Sequence, residues 1–194
     1  MSEKPHIMLP MGVARYPALH MPDTKFVEFG EYKADVVVPA EKAKPIMKKL
    51  QEVAKEHTGK PLAKSKNSCW EAVIDDDGEE TGEIMFKVRV KNKMSRKTGK
   101  LWDRRPMVID GQKNPISTDV AVGGGSKLKV QAEIDAWEAA NKRGVSLRPL
   151  IVQVVDLKTW QKGDLDAFDE IDDDYGEDQS GDYDDNQYGD DDDY

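Results

Sequence analysis

The sequence predicts a mainly β domain, a small barrel with one capping α-helix, followed by a disordered acidic C-terminal tail. Three observations carry this expectation. About six segments alternate apolar and polar side chains with the period of a strand. One segment, beginning near Ala43, changes to a helical period. From Gly163 onward apolar residues become sparse and acidic residues take over.

The elements follow in chain order. Pro5, Pro10, Pro17 and Pro22 punctuate the first two dozen residues, which read as an irregular, partly extended arm. A strand is expected over Phe26 to Val38, where Tyr32, Ala34, Val36 and Val38 alternate with Lys33 and Asp35 before Pro39 ends the run. Ala43, Ile46, Met47, Leu50, Val53, Ala54 and His57 then fall on one helical face. Pro45 is tolerable only in a first turn, so the helix is expected to begin near it, and Gly59 and Pro61 supply the stop. Trp70 to Ile74 reads as a strand, Asp75-Asp76-Asp77-Gly78 as a turn, and Gly82 to Lys91 as a strand. In the last, Ile84, Phe86, Val88 and Val90 face one way, and Met85, Lys87, Arg89 and Lys91 the other. A Lys- and Arg-rich loop, Asn92 to Lys100, leads to an expected strand over Trp102 to Ile109. After a turn-rich loop and the bend at Gly123-Gly124-Gly125, Ser126 to Trp137 alternates with Leu128, Val130, Ala132 and Ile134 inward. Asn141 to Gly144 turns the chain into a last buried strand, Val145 to Leu157. An oligonucleotide-binding barrel fits this pattern best, and an unrelated β-sandwich with a helix is the alternative on pattern alone.

Charge divides the chain in two. Residues 163–194 hold fourteen Asp, two Glu and no Lys or Arg, a charge of −16. Residues 1–162 keep the other 22 acids against all 29 Lys and Arg, a balance of +7. The folded domain is therefore assigned to residues 1–162 and the disordered tail to 163–194. A basic domain beside an acidic tail points to a polyanion partner for the first and a separate role for the second. Cys69 is the single cysteine, which excludes an intrachain disulfide and fits a reducing compartment. One Cys and the scattered His6, His20 and His57 cannot build a Cys/His zinc site. No membrane span or signal peptide is legible, so a soluble cytoplasmic chain is expected.

Two basic strand faces are the main chemical signal. Lys87, Arg89 and Lys91 share one, and Lys127, Lys129 and Trp137 share another if that strand runs without a bulge. Single-stranded nucleic acids bind where cations meet phosphates and rings stack on bases. A solvated sheet face with one half-buried Trp is the bland reading, and the coincidence of two stripes, an aromatic ring and the +7 balance favours binding. Val122 to Lys127 (VGGGSK) is not a nucleotide-phosphate loop. Its Ser precedes its Lys, and a strand rather than a helix follows, so it reads as a bend where backbone or nucleic acid approaches closely. No catalytic constellation, metal site or cofactor motif stands out. The tail repeats Asp, Tyr and Gly, and Phe168, Tyr175, Tyr183, Tyr188 and Tyr194 are spaced through its acids. Such rings favour partner binding, or occupation of the basic groove, over simple solubilisation.

At these residues the sequence resembles the single-stranded DNA-binding proteins of short-tailed, podovirus-type bacteriophages. Tyr32-Lys33-Ala34-Asp35 through Pro39 and the helix resemble the family's first strand and capping helix. Phe86-Lys87-Val88-Arg89 resembles its basic central strand. Gly123 to Val130 (GGGSKLKV) is the most specific match, and Asp193-Tyr194 resembles a terminus that more often ends in Phe. The resemblance implies an oligonucleotide-binding barrel that binds and anneals single-stranded DNA in phage DNA replication and recombination, with no enzymatic activity. It implies contacts of the tail, ending in Asp190, Asp191, Asp192, Asp193 and Tyr194, with the replicative DNA polymerase and the helicase-primase, and a homodimer is a further candidate assembly. It places DNA contacts at Arg89, where the family can have Lys, and at Trp137, where it can have Tyr. Ala139 stands where the family has a second aromatic residue.

The site expected from these readings comprises Lys87, Arg89, Lys91, Lys127 and Lys129 for the backbone and Trp137 for a base. An RNA-binding barrel is the runner-up, because discrimination needs contacts to the 2′-hydroxyl. An acidic-tailed protein–protein adaptor or histone-type chaperone is the rival from another class, and a nuclease a distant third.

Overall fold

The structure is a computed structural model that describes residues 4–62, 69–139 and 142–159. All of these belong to one unit, Met1–Trp160. The acidic tail, with Asp190 to Tyr194, lies outside the described residues.

The elements are β1 (His6–Met8), β2 (Gly12–Asp23), β3 (Glu31–Pro39), α1 (Ala40–Thr58), β4 (Trp70–Ile74), β5 (Glu80–Lys91), β6 (Lys93–Met94), β7 (Leu101–Trp102), β8 (Met107–Ile109), β9 (Lys127–Ala139) and β10 (Lys142–Asp156). Five strands form a ring. β2 pairs β3, β3 pairs β5, β5 lies parallel to β10, β10 pairs β9, and β9 returns to β2. Three antiparallel strands in sequence, with the fifth strand slotted beside the third, give the oligonucleotide-binding barrel. β1, β4 and β8 extend the sheet outside the ring on β9, β5 and β10.

The closures of this ring are uneven. β9 and β10 match thirteen residue pairs, while β2 meets β9 through Gly12↔Leu128 and Val13↔Lys127, and β5 meets β10 at Leu147↔Val88. Gly12 is required by close approach. A Cβ there would stand 2.4 Å from the Val37 carbonyl oxygen and 2.6 Å from Val38 Cγ1. The GGGSK segment fastens the same region. Gly125 takes φ 86° in its turn and donates to the Ala14 carbonyl (2.9 Å), and Ala14 N–H donates to the Ser126 carbonyl (2.8 Å). The buried Ser126 hydroxyl donates to Gly123 O (2.8 Å) and accepts from Lys158 N–H (2.9 Å). The segment is thus a backbone clasp between β2 and the chain after β10.

Alternation fills the interior as expected. Phe86, Val88 and Val90 of β5 and Leu128, Val130, Ala132 and Ile134 of β9 are buried, with Ala34, Val36 and Val38 of β3 and Val145, Leu147, Val152 and Val154 of β10. The helix packs mainly on β9 through Ala43, Leu50 and Ala54, with Ile46, Met47 and Val53 half-buried beside them. Gly59 closes it, donating to Lys55 O (2.8 Å).

Several sequence expectations are corrected. The N-terminal arm is not irregular: it contains β1 and the twelve-residue β2. Its prolines escaped a strand reading because Pro17 and Pro22 sit where the β2–β3 register shifts, and a proline is tolerated where it interrupts no ladder bond. The third strand begins at Glu31, leaving Phe26 in the preceding loop. The helix starts at Ala40, so Pro45 lies past the first turn, and His57 is exposed. The expected strand Trp102 to Ile109 is two short ones, interrupted by Asp103–Pro106. Gly144 belongs to β10, opposite Trp137, and Asn141 lies outside the described residues. Among the described residues no helix is long and apolar enough to cross a membrane, and no three His, Cys, Asp or Glu side chains converge as metal ligands would.

Candidate nucleic-acid interface

Because the even-numbered residues of β5 fill the barrel, Lys87, Arg89 and Lys91 are left on its outer side. A groove of ≈ 650 Å³ opens there. Phe26 and Val27 of the β2–β3 loop and Glu31 of β3 form one side, and Lys87, Arg89 and Lys91 run along it with Lys93 of β6. Asp135 and Trp137 of β9 and Ser146 and Arg148 of β10 form the other side, and Arg104 reaches in from the loop after β7. A recess of ≈ 200 Å³ adjoins it, sharing Val90, Arg104 and Arg148, with Trp102, Arg105 and Glu133 in its wall.

The groove has six cations and two carboxylates in its walls, but the cations differ in availability. Arg89 is engaged. Its Nη2 donates to both oxygens of Asp35, at 3.0 and 3.2 Å, and Glu31 lies 3.9 Å from its Nη1. Asp35 is 3% exposed, so this fork neutralises a buried carboxylate from above. Lys87 pairs with Glu71 of the neighbouring β4. Arg148 is held by Asp135 and, at 3.3 Å, by Glu133, and Lys4 joins the same two carboxylates. Lys91, Lys93 and Arg104 have no ion-pair partner among the described residues. Burial, and then the nearby Arg148 guanidinium, push Arg104 below its ordinary pKa. An anion between these two guanidiniums would relieve that repulsion.

Two aromatic rings flank the cations. Trp137 is half-buried, and its cross-strand partner Gly144 contributes no side chain to cover it. Phe26 is 86% exposed, so its ring face is open to a ligand, and Lys25 Nζ lies 5.3 Å from its centroid. A second ring thus comes from a loop distant in sequence, while Ala139 stays at the end of β9.

Of the six residues expected from sequence, the structure brings together Lys87, Arg89, Lys91 and Trp137. Lys127 and Lys129 share the outer face of β9 with Trp137 but not its groove. Lys129 is eight residues from Trp137, about 27 Å at strand rise, with Glu133 and Asp135 between. Lys127 also has Asp156 at 3.9 Å. Sequence reasoning missed Phe26, Lys93, Arg104 and Arg148. The Phe-Gly pair at Phe29-Gly30, which could have marked a loop around Phe26, was the available signal; nothing local marks Arg148 as a neighbour of Arg104.

No family model and no curated protein matches the chain. Solved structures do. gp2.5, a single-stranded DNA binding protein encoded by bacteriophage T7, superposes with TM-score 0.63 at 22% identity, covering 87% of this chain and 97% of its own. The single-stranded DNA-binding protein from bacteriophage Enc34 gives TM-score 0.58 at 17% identity, over 81% of this chain and 85% of its own. The same protein in complex with ssDNA gives 0.57 at 15% identity, over 81% and 88%. The chain therefore has the fold of these phage proteins over most of its length.

Proposed function

We propose that the protein binds single-stranded DNA, with little regard for sequence, in the groove between the β2–β3 loop, β5 and the β9–β10 hairpin. One observation carries this reading: Lys91, Lys93 and Arg104, cations with no ion-pair partner among the described residues, and two accessible rings, Phe26 and Trp137, line one open groove. That is the combination a single strand needs, phosphate neutralisation with sequence-tolerant stacking. The fold shared with structures described as single-stranded DNA-binding proteins, one of them in complex with ssDNA, supports the same ligand. Lys87 and Arg89 add field from partly engaged positions, and a strand continuing along β9 would reach Lys129 and Lys127 next.

The wider role we propose is in phage DNA replication and recombination, protecting and annealing single strands without catalysing a reaction. Residues 163–194, at −16, would recruit replication proteins such as a DNA polymerase or helicase-primase through Asp190 to Tyr194, and would compete with DNA for the groove. Fluorescence titration with single-stranded DNA, duplex DNA and RNA across a salt series tests the core reading. Single strands should bind more tightly than duplex, with log affinity falling by about 0.7 per decade of salt for each phosphate neutralised. Equal affinity for duplex, or no salt dependence, would overturn it. A chain ending at Lys162 should bind single strands more tightly at low salt; equal binding at every salt concentration would exclude the tail as a competitor.

A further inference from the structure

Residues 91–105 contain seven Lys and Arg against one acid, Asp103. Of the +7 carried by residues 1–162, +6 therefore falls in these fifteen positions. The centre of the stretch is the β6–β7 hairpin, paired Lys93↔Trp102 and Met94↔Leu101, a two-stranded sheet separate from the barrel. Its tip is built, with Ser95 N–H donating to Lys100 O (2.9 Å) and Gly99 N–H to Ser95 O (2.8 Å). Its base is pinned by the buried Asn92, whose amide donates to Phe29 O (3.0 Å) and whose Oδ1 accepts from Arg104 N–H (2.9 Å). One side chain thereby fixes the hairpin to the loop that carries Phe26. Trp102 is 63% exposed, with the Arg104 guanidinium 5.3 Å from its ring centroid, and the recess beside it shares Arg104 and Arg148 with the main groove. Arg96, Lys97 and Lys100 are exposed and have no ion-pair partner among the described residues.

We infer that the β6–β7 hairpin is a second station for the same nucleic-acid strand, where a base stacks on Trp102 and phosphates meet Arg96, Lys97 and Lys100 after the strand leaves the main groove past Arg104. An indole exposed to that degree beside exposed cations is the pairing of stacking surface and charge that a single strand recognises. Duplex would present phosphates but no free base faces. The inference rests on the proposed binding of single strands in the main groove.

The test measures affinity of the full chain for oligodeoxythymidylates of increasing length, from about 4 to about 16 nucleotides, the range one such barrel covers. Trp102→Ala should bind the shortest strands as the wild type does and the longest about 5- to 150-fold more weakly. Replacing Arg96, Lys97 and Lys100 with Gln should lower the salt slope by about 0.7 for each phosphate no longer neutralised, with long strands only. Wild-type affinity of both variants at every length would overturn the inference, as would a loss equally large at the shortest length, or a loss confined to duplex. Trp137→Ala run in parallel separates the two ideas. Weakening at every length supports the main groove whatever the hairpin does, and no weakening at any length removes that groove and the second station with it.

Discussion

Replacing Arg89 should damage the fold before it damages any ligand contact. Arg89→Met removes the guanidinium that donates to both oxygens of Asp35 at 3.0 and 3.2 Å. The carboxylate side chain is 5% exposed, so water cannot take over as its partner. Breaking a fully buried pair costs about 3–5 kcal/mol, because an uncompensated charge is left behind. The guanidinium itself is 41% exposed, so part of what the pair contributes is already screened by solvent. A loss of about 2–3 kcal/mol is expected, roughly 4–12 °C in melting temperature for a domain of this size. Lys91 lies on the same face of the same strand with no carboxylate partner among the described residues, so Lys91→Met is the control, expected within about 0.5 kcal/mol of wild type. Urea denaturation of both variants measures the difference. Asp35→Asn combined with Arg89→Met should recover much of the loss, since the stranded charge is gone. If Arg89→Met and Lys91→Met are equally stable, Asp35 does not depend on Arg89 and the reasoning fails. Charge reversal at Arg89 is therefore a poor probe of DNA contact except at temperatures where the variant is shown to be folded.

Other perturbations separate structure from binding. Gly12→Ala drives a Cβ to 2.4 Å from a backbone oxygen, so it should lower the urea midpoint by more than a typical surface change, and a normal midpoint would refute the close approach. Trp137→Ala should cost about 1–3 kcal/mol of single-strand affinity with little change in melting; the opposite pattern would make the indole structural. Burial pushes the Cys69 thiol up from 9.0 to about 12, so it should resist alkylation in the folded chain and react on unfolding. The raised value also sets a sign. The folded state keeps the proton that the unfolded state releases, so this contribution is intact below pH 9 and fades as pH climbs toward 12. Cys69→Ala should flatten that alkaline decline, and a decline unchanged in the variant would assign it to other groups.

The strands of the barrel were legible where alternation was uninterrupted, as in β5 and β9, because burial of one face imposes a period of two regardless of what lies opposite. β2 was hidden since its prolines and the positive φ of Tyr16, 48°, belong to irregular pairing that only the partner strand explains. Ring closure was not readable at all: it depends on Gly12 meeting Leu128 and Val88 meeting Leu147, pairs more than fifty residues apart. Of the residues lining the candidate groove, those named from sequence are the cations of β5 and the ring of Trp137, which sit on regular strands. It could not tell that Asp35 occupies Arg89, nor that Lys129 is distant from the groove, since parity along a strand gives a face and not a neighbourhood. Phe26 and Arg104 come from loops, whose direction no periodicity encodes.

The uneven closure of the ring has a mechanical consequence. The meander β2–β3–β5 and the hairpin β9–β10 are each broadly laced within themselves, yet they meet at narrow seams, one of them Leu147 against Val88. The groove straddles that seam, with Phe26, Lys87 and Lys91 on the meander and Trp137 and Arg148 on the hairpin. A chain lying in the groove would grip both halves at once and act as a suture across a narrow seam of the barrel. Amide hydrogens along that line should exchange ahead of those within the β9–β10 hairpin in the free protein, and slow selectively when the groove is filled.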